Sequence, residues 1–328
     1  MPRHKADNLP ESLVLAARAT KPVAFNSAKH LAFESPKSIL TFQDIGQDNN
    51  GISPHAVSEP FPLFTEEAIM QMRAEIFRED ILSKYYCATG RSSGQVRGHV
   101  PNDATFIRDA WNSPELLEVV SKVAGVELVP AIDYDIGHAN IMINADGTEN
   151  DCVAPGEATD ASSEYCESAF GWHRDSYPFV VVTMLSDCEG MVGGETSIRT
   201  GSGEIMKARG PARGTAVVMQ GRYVDHQATA AKGGRERISM VTSFRPKSHQ
   251  IKDETTLRGV RNISDIPTLY TQYTEYKLAN LEKRVHDELA KLRQSQQAAV
   301  GFDVAQTRNW LTEQRSFLDS MLSELQVH

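Results

Sequence analysis

Apolar positions recur at two different spacings along this chain, and the change from one to the other divides it. After Pro62, residues Ile69, Met72, Ile76 and Phe77 recur at helical spacing behind Thr65, whose hydroxyl can cap a helix. A second helix is predicted over Pro114 to Ala124, with Leu116, Leu117, Val120 and Val123 on its buried face and Gly125 as its stop. From Val126 the pattern becomes that of strands. Glu127 to Ile143 reads as one long extended run, with Tyr134, His138 and Asn140 on a single face. Tyr177 to Leu185, Thr196 to Arg199, Thr215 to Gln220 and Ile238 to Phe244 follow, each flanked by Gly, Pro or charged turns. Beyond Pro246 the helical period returns. Leu278, Leu281, Val285, Leu289 and Leu292 form one stripe, and Leu311, Leu318, Leu322 and Leu325 another, on two helices joined near Gly301. Such stripes are read as core, with a dimer seam or an active-site cover as the sharper alternative.

Strands that follow one another without intervening helices predict a mainly β fold with flanking helices, an antiparallel sandwich or jelly-roll barrel rather than a doubly wound sheet. An open antiparallel sheet with helices on one face is the alternative. The chain has 328 residues, enough for one substantial core. The reading is therefore a single structural domain: an N-terminal arm and supporting helices over 1–125, a core over 126–246 and a helical extension over 247–328. Residues 1–60, rich in Pro, Ser, Asn and Asp, read as an extended arm wrapped on the body. Asn144 to Ala169 carries Asp146, Glu149, Asp151, Glu157, Asp160, Glu164 and Glu167 with no Lys or Arg. A loop this long is either a solvated insertion or a substrate lid.

Composition narrows the function. A net charge of -9 argues against nucleic acid, whose phosphates need a basic footprint. No apolar run reaches membrane-spanning length, and Leu13 to Ala17 lacks the cleavage pattern of a signal peptide. Cys87, Cys152, Cys166 and Cys188 form no CxxC and no dense framework, so reduced thiols in a cytoplasmic protein are expected.

The chemistry gathers in Gly171-Trp172-His173-Arg174-Asp175, then Asp225-His226, then Arg237-Ile238-Ser239. In extended backbone His-x-Asp puts an imidazole and a carboxylate on one side. A second imidazole from a distant strand completes a two-His-one-carboxylate facial set, the arrangement of non-haem Fe(II) oxygenases, which leaves three adjacent positions open. His226 follows the apolar strand Ala216 to Met219 by one short turn. Arg237 lies ten intervening residues beyond His226, with Ser239 on its own face. A planar guanidinium grips a carboxylate through two parallel hydrogen bonds, and a serine two residues on adds a hydroxyl donor.

The order His-x-Asp, Gly193 to Thr196, distal His, ten residues and Arg-x-Ser resembles the Fe(II)/2-oxoglutarate dioxygenase superfamily. The match is specific over Val126 to Pro246. Ala56 to Phe64 (AVSEPFPLF) and Gly221 to Gln227 (GRYVDHQ) resemble fungal members encoded with polyketide pathways, among them tropolone-forming, ring-expanding dioxygenases and the methyl-oxidising enzymes of citrinin-type pathways. The resemblance implies a double-stranded β-helix, with iron on His173, Asp175 and His226. The cosubstrate 2-oxoglutarate would sit on Arg237 and Ser239, with O2 as the second cosubstrate. It implies a small-molecule substrate, an aromatic polyketide intermediate of secondary metabolism undergoing hydroxylation or ring expansion. Asn140 is a further candidate for the cosubstrate. Trp172, Arg199 and His138 are candidates for the substrate, and Asp225 for orienting His226. A free amino acid or other small acid as substrate would need a second buried cation such as Arg199. From another class, the same three ligands would make a non-catalytic Zn(II)-binding barrel. The C-terminal helices are compatible with a homodimer.

Overall fold

The computed structural model describes residues 9–48, 50–88, 93–143, 168–207, 212–229, 231–232 and 234–327. The acidic segment, whose solvated or lid role the sequence leaves open, lies outside them over 144–167. Eight strands carry the centre: β1 (His138–Ile143), β2 (Ser168–His173), β3 (Phe179–Met184), β4 (Thr196–Arg199), β5 (Ile205–Lys207), β6 (Thr215–Met219), β7 (His226–Thr229) and β8 (Glu236–Pro246). They are dealt between two antiparallel sheets. The larger runs β6-β3-β8-β1 at its centre, and the smaller runs β5-β4-β7-β2. Successive strands cross from one sheet to the other except at the β4–β5 hairpin, which is the double-stranded β-helix, or jelly roll. The two sheets share no ladder among the described residues, so the body is a sandwich rather than a closed hydrogen-bonded barrel.

The arm is more ordered than its composition suggests. It forms a helix at Glu11–Ala19, and its strands Ile39–Thr41 and His55–Ser58 extend one edge of the large sheet beside β6. Strands Ser93–Val96 and Tyr86–Ala88 extend the other edge beside β1. Helices α1 (Glu66–Ile76) and α2 (Pro114–Ala124) form as their patterns predict. Thr65 accepts from Ala68 N and Ser113 from Leu116 N, and Gly125 ends α2 at φ 72°.

These helices cover the outer face of the large sheet. Ala139, Ile141 and Ile143 of β1, Val181 of β3 and Ile238 and Met240 of β8 point outward and share one buried cluster with Ile69, Met72, Ile76, Leu116, Val120 and Trp111. The alternate residues line the interior between the sheets: Val180, Val182 and Met184 of β3, and Arg237, Ser239 and Val241 of β8.

Two expectations fail here. The long strand from Glu127 is broken into Leu128–Pro130, a 3-10 turn at Asp133–Asp135 and β1. Asp133 and Asp135 favour the turn, and Gly137 at φ 70° turns the chain where a Cβ would come within 2.8 Å of Ile107. Tyr134 thereby leaves the face of His138 and Asn140, and its hydroxyl accepts from Asp265 N. The leucine stripes also differ. Helices α3 (Ile266–Gln297) and α4 (Val304–Glu324) do pair near Gly301. Yet α3 buries Leu269, Tyr273, Tyr276, Lys277 and Asn280, and leaves Leu278, Val285, Leu289 and Leu292 exposed. On α4, Gln314, Phe317 and Met321 are buried while Leu311, Leu318 and Leu322 are exposed. The aromatic face of α3 wins the body because it meets Tyr177, Leu257 and Ile132. No helix among the described residues is long and apolar enough to cross a membrane. Cys87 and Cys188 are free.

Candidate functional site

The end of β2, the turn after it and the start of β7 meet at the mouth of the sandwich. His173 and His226 are direct partners in the β2–β7 ladder, so their side chains leave the small sheet on one face. Their ring centroids are 4.4 Å apart. Asp175 reaches between them: Oδ1 lies 3.6 Å from His173 Nε2 and Oδ2 lies 3.6 Å from His226 Nε2. One ligand atom from each of the three lies within 4.8 Å of the others, a group of metal-binding type.

The backbone orients this set. His173 Nδ1 lies 2.7 Å from Gly171 O and His226 Nδ1 lies 2.9 Å from Val224 O. A carbonyl only accepts, so each Nδ1 carries the proton and donates, leaving both Nε2 lone pairs toward Asp175. Asp175 N donates to Gly221 O at 2.9 Å, which holds the loop against the β6–β7 turn. Its Oδ2 is buried without a hydrogen-bond partner among the described residues and rests over Gly221, where a Cβ would come within 1.8 Å.

Burial opposes charge on all three. It lowers His226 despite the attraction of Asp175. At His173 burial is outweighed by hydrogen bonding and charge from Asp175, and the imidazole is held above its ordinary value. Burial of Asp175 is likewise outweighed, by the charges of His226 and His173, and the carboxyl titrates below its usual range. Two imidazoles around one anionic, unpartnered oxygen fit a divalent cation. Metal–ligand bonds of about 2.1 Å make an octahedral edge of about 3.0 Å, against which the two 3.6 Å Asp–His separations are about 0.6 Å wide.

Deeper in the sandwich, β8 and β1 present a polar row. Ser239 stands opposite Asn140, Arg237 opposite Met142 and Val241 opposite His138. Among the described residues Arg237, 8% exposed, makes one long hydrogen bond, to Gly194 O at 3.5 Å, and its Nε finds no partner. No carboxylate pairs with it among the described residues. Burial lowers its pKa, the signature of a cation short of an anion. The other buried cations are committed, Arg97 to Asp135 and Lys277 to Asp253.

The candidate substrate residues divide. His138 faces the interior, with Nε2 sealed and unpartnered among the described residues. Trp172 and Arg199 do not. They sit on the outer side of the small sheet, the guanidinium 4.3 Å over the indole and paired with Asp225 at 2.9 Å. Side-chain alternation explains this, since Trp172 precedes an inward His173 and Arg199 follows an inward Ile198. Asp225 is occupied by Arg199 and does not orient His226; Val224 O takes that place.

Three residues escaped the sequence reading. Gly221 cradles Asp175. Gln95 stands opposite Asn140 on the added strand. Cys188 lies close enough to Arg237 that the guanidinium pulls its thiol down against the larger upward push of burial. Only Gly221 carried a sequence signal, a glycine beside the distal ligand.

No family model matches the chain, and no curated protein matches it. Among solved structures the chain is similar to an oxidoreductase of the 2OG-Fe(II) oxygenase family from Burkholderia pseudomallei, at 16% identity over 51% of this chain and 74% of that one, with a TM-score of 0.36. It is similar to the alpha ketoglutarate dependent epimerase SnoN of nogalamycin biosynthesis, at 16% identity over 61% and 80%, with a TM-score of 0.41. A Pseudomonas putida prolyl-4-hydroxylase gives 15% identity over 56% and 88%, with a TM-score of 0.34.

Proposed function

We propose that this chain is an Fe(II)/2-oxoglutarate-dependent dioxygenase that oxidises a small organic molecule. The observation that carries the reading is Arg237, a buried guanidinium without a carboxylate partner among the described residues, set in the same interior that the His173–Asp175–His226 cluster closes at its mouth. A dicarboxylic keto acid answers both needs, one end chelating a cation at the cluster and the other neutralising the arginine.

His173, Asp175 and His226 would hold the iron, two imidazoles and one carboxylate. Arg237 grips the far carboxylate of 2-oxoglutarate, Ser239 adds its hydroxyl, and Asn140 lies opposite Ser239 within reach of the same ligand. Bound iron, 2-oxoglutarate and O2 together supply an oxidant for C–H bonds. The protein's own work is positioning and dryness: Val180, Val182 and Val241 wall the interior and keep water from it.

The substrate we propose is a neutral aromatic molecule, a polyketide intermediate undergoing hydroxylation or ring expansion. Support comes from the apolar wall, from His138 as an uncharged polar contact, and from the sequence likeness over Ala56–Phe64 and Gly221–Gln227. An amino acid or small-acid substrate would need a second uncommitted buried cation, and Arg199, the residue that could have supplied it, is turned outward and paired.

The test is release of succinate from 2-oxoglutarate with Fe(II), ascorbate and O2, first alone and then with a panel of phenolic and amino-acid candidates. Slow turnover without substrate is expected, stimulated by an aromatic member of the panel and abolished in His173→Ala, Asp175→Ala and His226→Ala. Stoichiometric zinc and no keto-acid consumption under any condition would return the chain to a non-catalytic metal barrel.

A further inference from the structure

Of the exposed large apolar side chains on the described surface, most lie on one element, the hairpin of α3 and α4. Their placement is regular. Along α3 the line of contact with the body and α4 runs through Lys277, Arg284 and Glu288: Lys277 and Arg284 lie 5.1 and 4.5 Å from the Phe317 ring, and Glu288 is buried. The exposed Leu278, Val285 and Leu289 each follow a member of that line by one residue, with Leu292 continuing the stripe. On α4 the contact line is Gln314, Phe317 and Met321, and the exposed Leu318 and Leu322 again follow by one, with Leu311 seven residues before Leu318.

One residue is a rotation of 100°. In antiparallel helices equal rotations away from a shared contact line turn to the same side. Both stripes therefore face one way, and they form a two-helix apolar face. From their fractional exposures, the seven side chains present on the order of 600 Å². That is the upper end for the largest patch on a monomer, and with a polar rim it approaches the roughly 800 Å² that each partner contributes to a stable interface.

Charge on the rim says what covers it. Near the body end of the hairpin stand Glu275 and Asp319, and toward the free end Arg293 and Arg308; Glu282 and Arg315 lie between them near the middle, Arg315 3.9 Å from Asp319. An acidic base and a basic tip are complementary to the same hairpin reversed. We propose that this face seats a second copy of the chain, the two hairpins antiparallel about a two-fold axis close to Val285. The basic tip of each then lies on the acidic base of the other, and Leu278 lies across from Leu292 of its partner. Spacing of seven from Leu278 to Val285 to Leu292 suits a close, coiled-coil-like seam.

Sedimentation of the full chain between 1 and 100 µM is expected to give a dimer. Leu289→Asp with Leu318→Asp should give a monomer with unchanged helical circular dichroism and unchanged substrate-free succinate release, since neither residue is near the metal cluster. Arg293→Glu should weaken the dimer roughly fivefold, and Glu275→Arg in the same chain should restore it. Val285→Cys should cross-link to itself across the axis with a short bismaleimide, a product absent from wild type. A wild-type monomer throughout the range, an open series of larger oligomers, or a dimer indifferent to the two aspartates would each overturn the proposal.

Discussion

An alanine at position 221 would bring its Cβ within 1.8 Å of Asp175 Oδ2, 2.7 Å of its Cγ and 3.0 Å of its Cβ. Gly221 is not among the residues with positive φ, so the substitution adds no backbone strain; its whole effect falls on the carboxylate. Ordinary contact needs more than 3 Å, so Oδ2 must retreat by over 1 Å, about half a metal–ligand bond. That oxygen is 3.6 Å from His226 Nε2, and its retreat opens the cluster on that side. Loss of an oriented carboxylate should weaken divalent metal binding by about 100-fold, near 2.7 kcal/mol at 1.36 kcal/mol per decade. Calorimetric titration of metal-free protein with Mn(II) reads this without reference to turnover. Because Gly221 would act through Asp175, Gly221→Ala should add nothing to Asp175→Ala in a double-mutant cycle. Binding by Gly221→Ala within threefold of wild type would falsify the cradle.

Arg237→Ala should raise the KM for 2-oxoglutarate by about 10- to 100-fold, in line with loss of one or two charge-assisted hydrogen bonds, with a smaller change in kcat; an unchanged KM removes it from the cosubstrate site. Acid should destabilise the fold before the carboxylates titrate. His99 is fully buried and His138 is half-buried with its Nε2 sealed, and loss of water pushes each down to about 3. They stay neutral in the native state but take up protons once unfolded below about 6.5, so stability is intact near neutrality and is lost as pH falls toward 3. Between pH 7 and 5 this amounts to up to about 4 kcal/mol for the pair. Urea midpoints across that range should show it, and His99→Gln should halve the slope. Lys277, fully buried 3.2 Å from Asp253, should be indispensable alone and dispensable with its partner. Lys277→Met should cost about 3–5 kcal/mol in urea unfolding, and Asp253→Leu added to it should recover much of that; equal losses in the single and double variants would contradict a charge-driven penalty.

How far the sequence reaches depends on the rule being read. Period-two alternation puts His173 and Asp175 on one side and Arg237 with Ser239; the structure brings His173 and Asp175 together with His226, and sets Arg237 and Ser239 on one face of β8. The same rule turns Trp172 outward, because it precedes the inward His173 by one residue. Helical periodicity marks an apolar face without saying what covers it, and so could not tell the buried Leu269–Tyr273–Tyr276 line of α3 from the exposed Leu278–Val285–Leu292 stripe. The break at Asp133–Gly137 rests on Asp135 finding Arg97 in the interior, a pairing across 38 residues that local pattern does not contain. Gln95 had no mark at all, because it enters the interior on a strand the eight-strand core does not need.

Ser176, next to the Asp175 carboxylate, is fastened from downstream. Its carbonyl accepts from Thr256 N at 2.8 Å and its hydroxyl from Gly259 N at 3.2 Å. Between them Leu257 N donates to Glu324, at the far end of α4. A chain cut after Pro246 would keep all three proposed ligands and the whole jelly roll, yet leave the loop between two of them untethered. The C-terminal quarter is in this sense a brace for the proposed metal centre, and excising the jelly roll alone should yield a fold with its ligands in place but out of true.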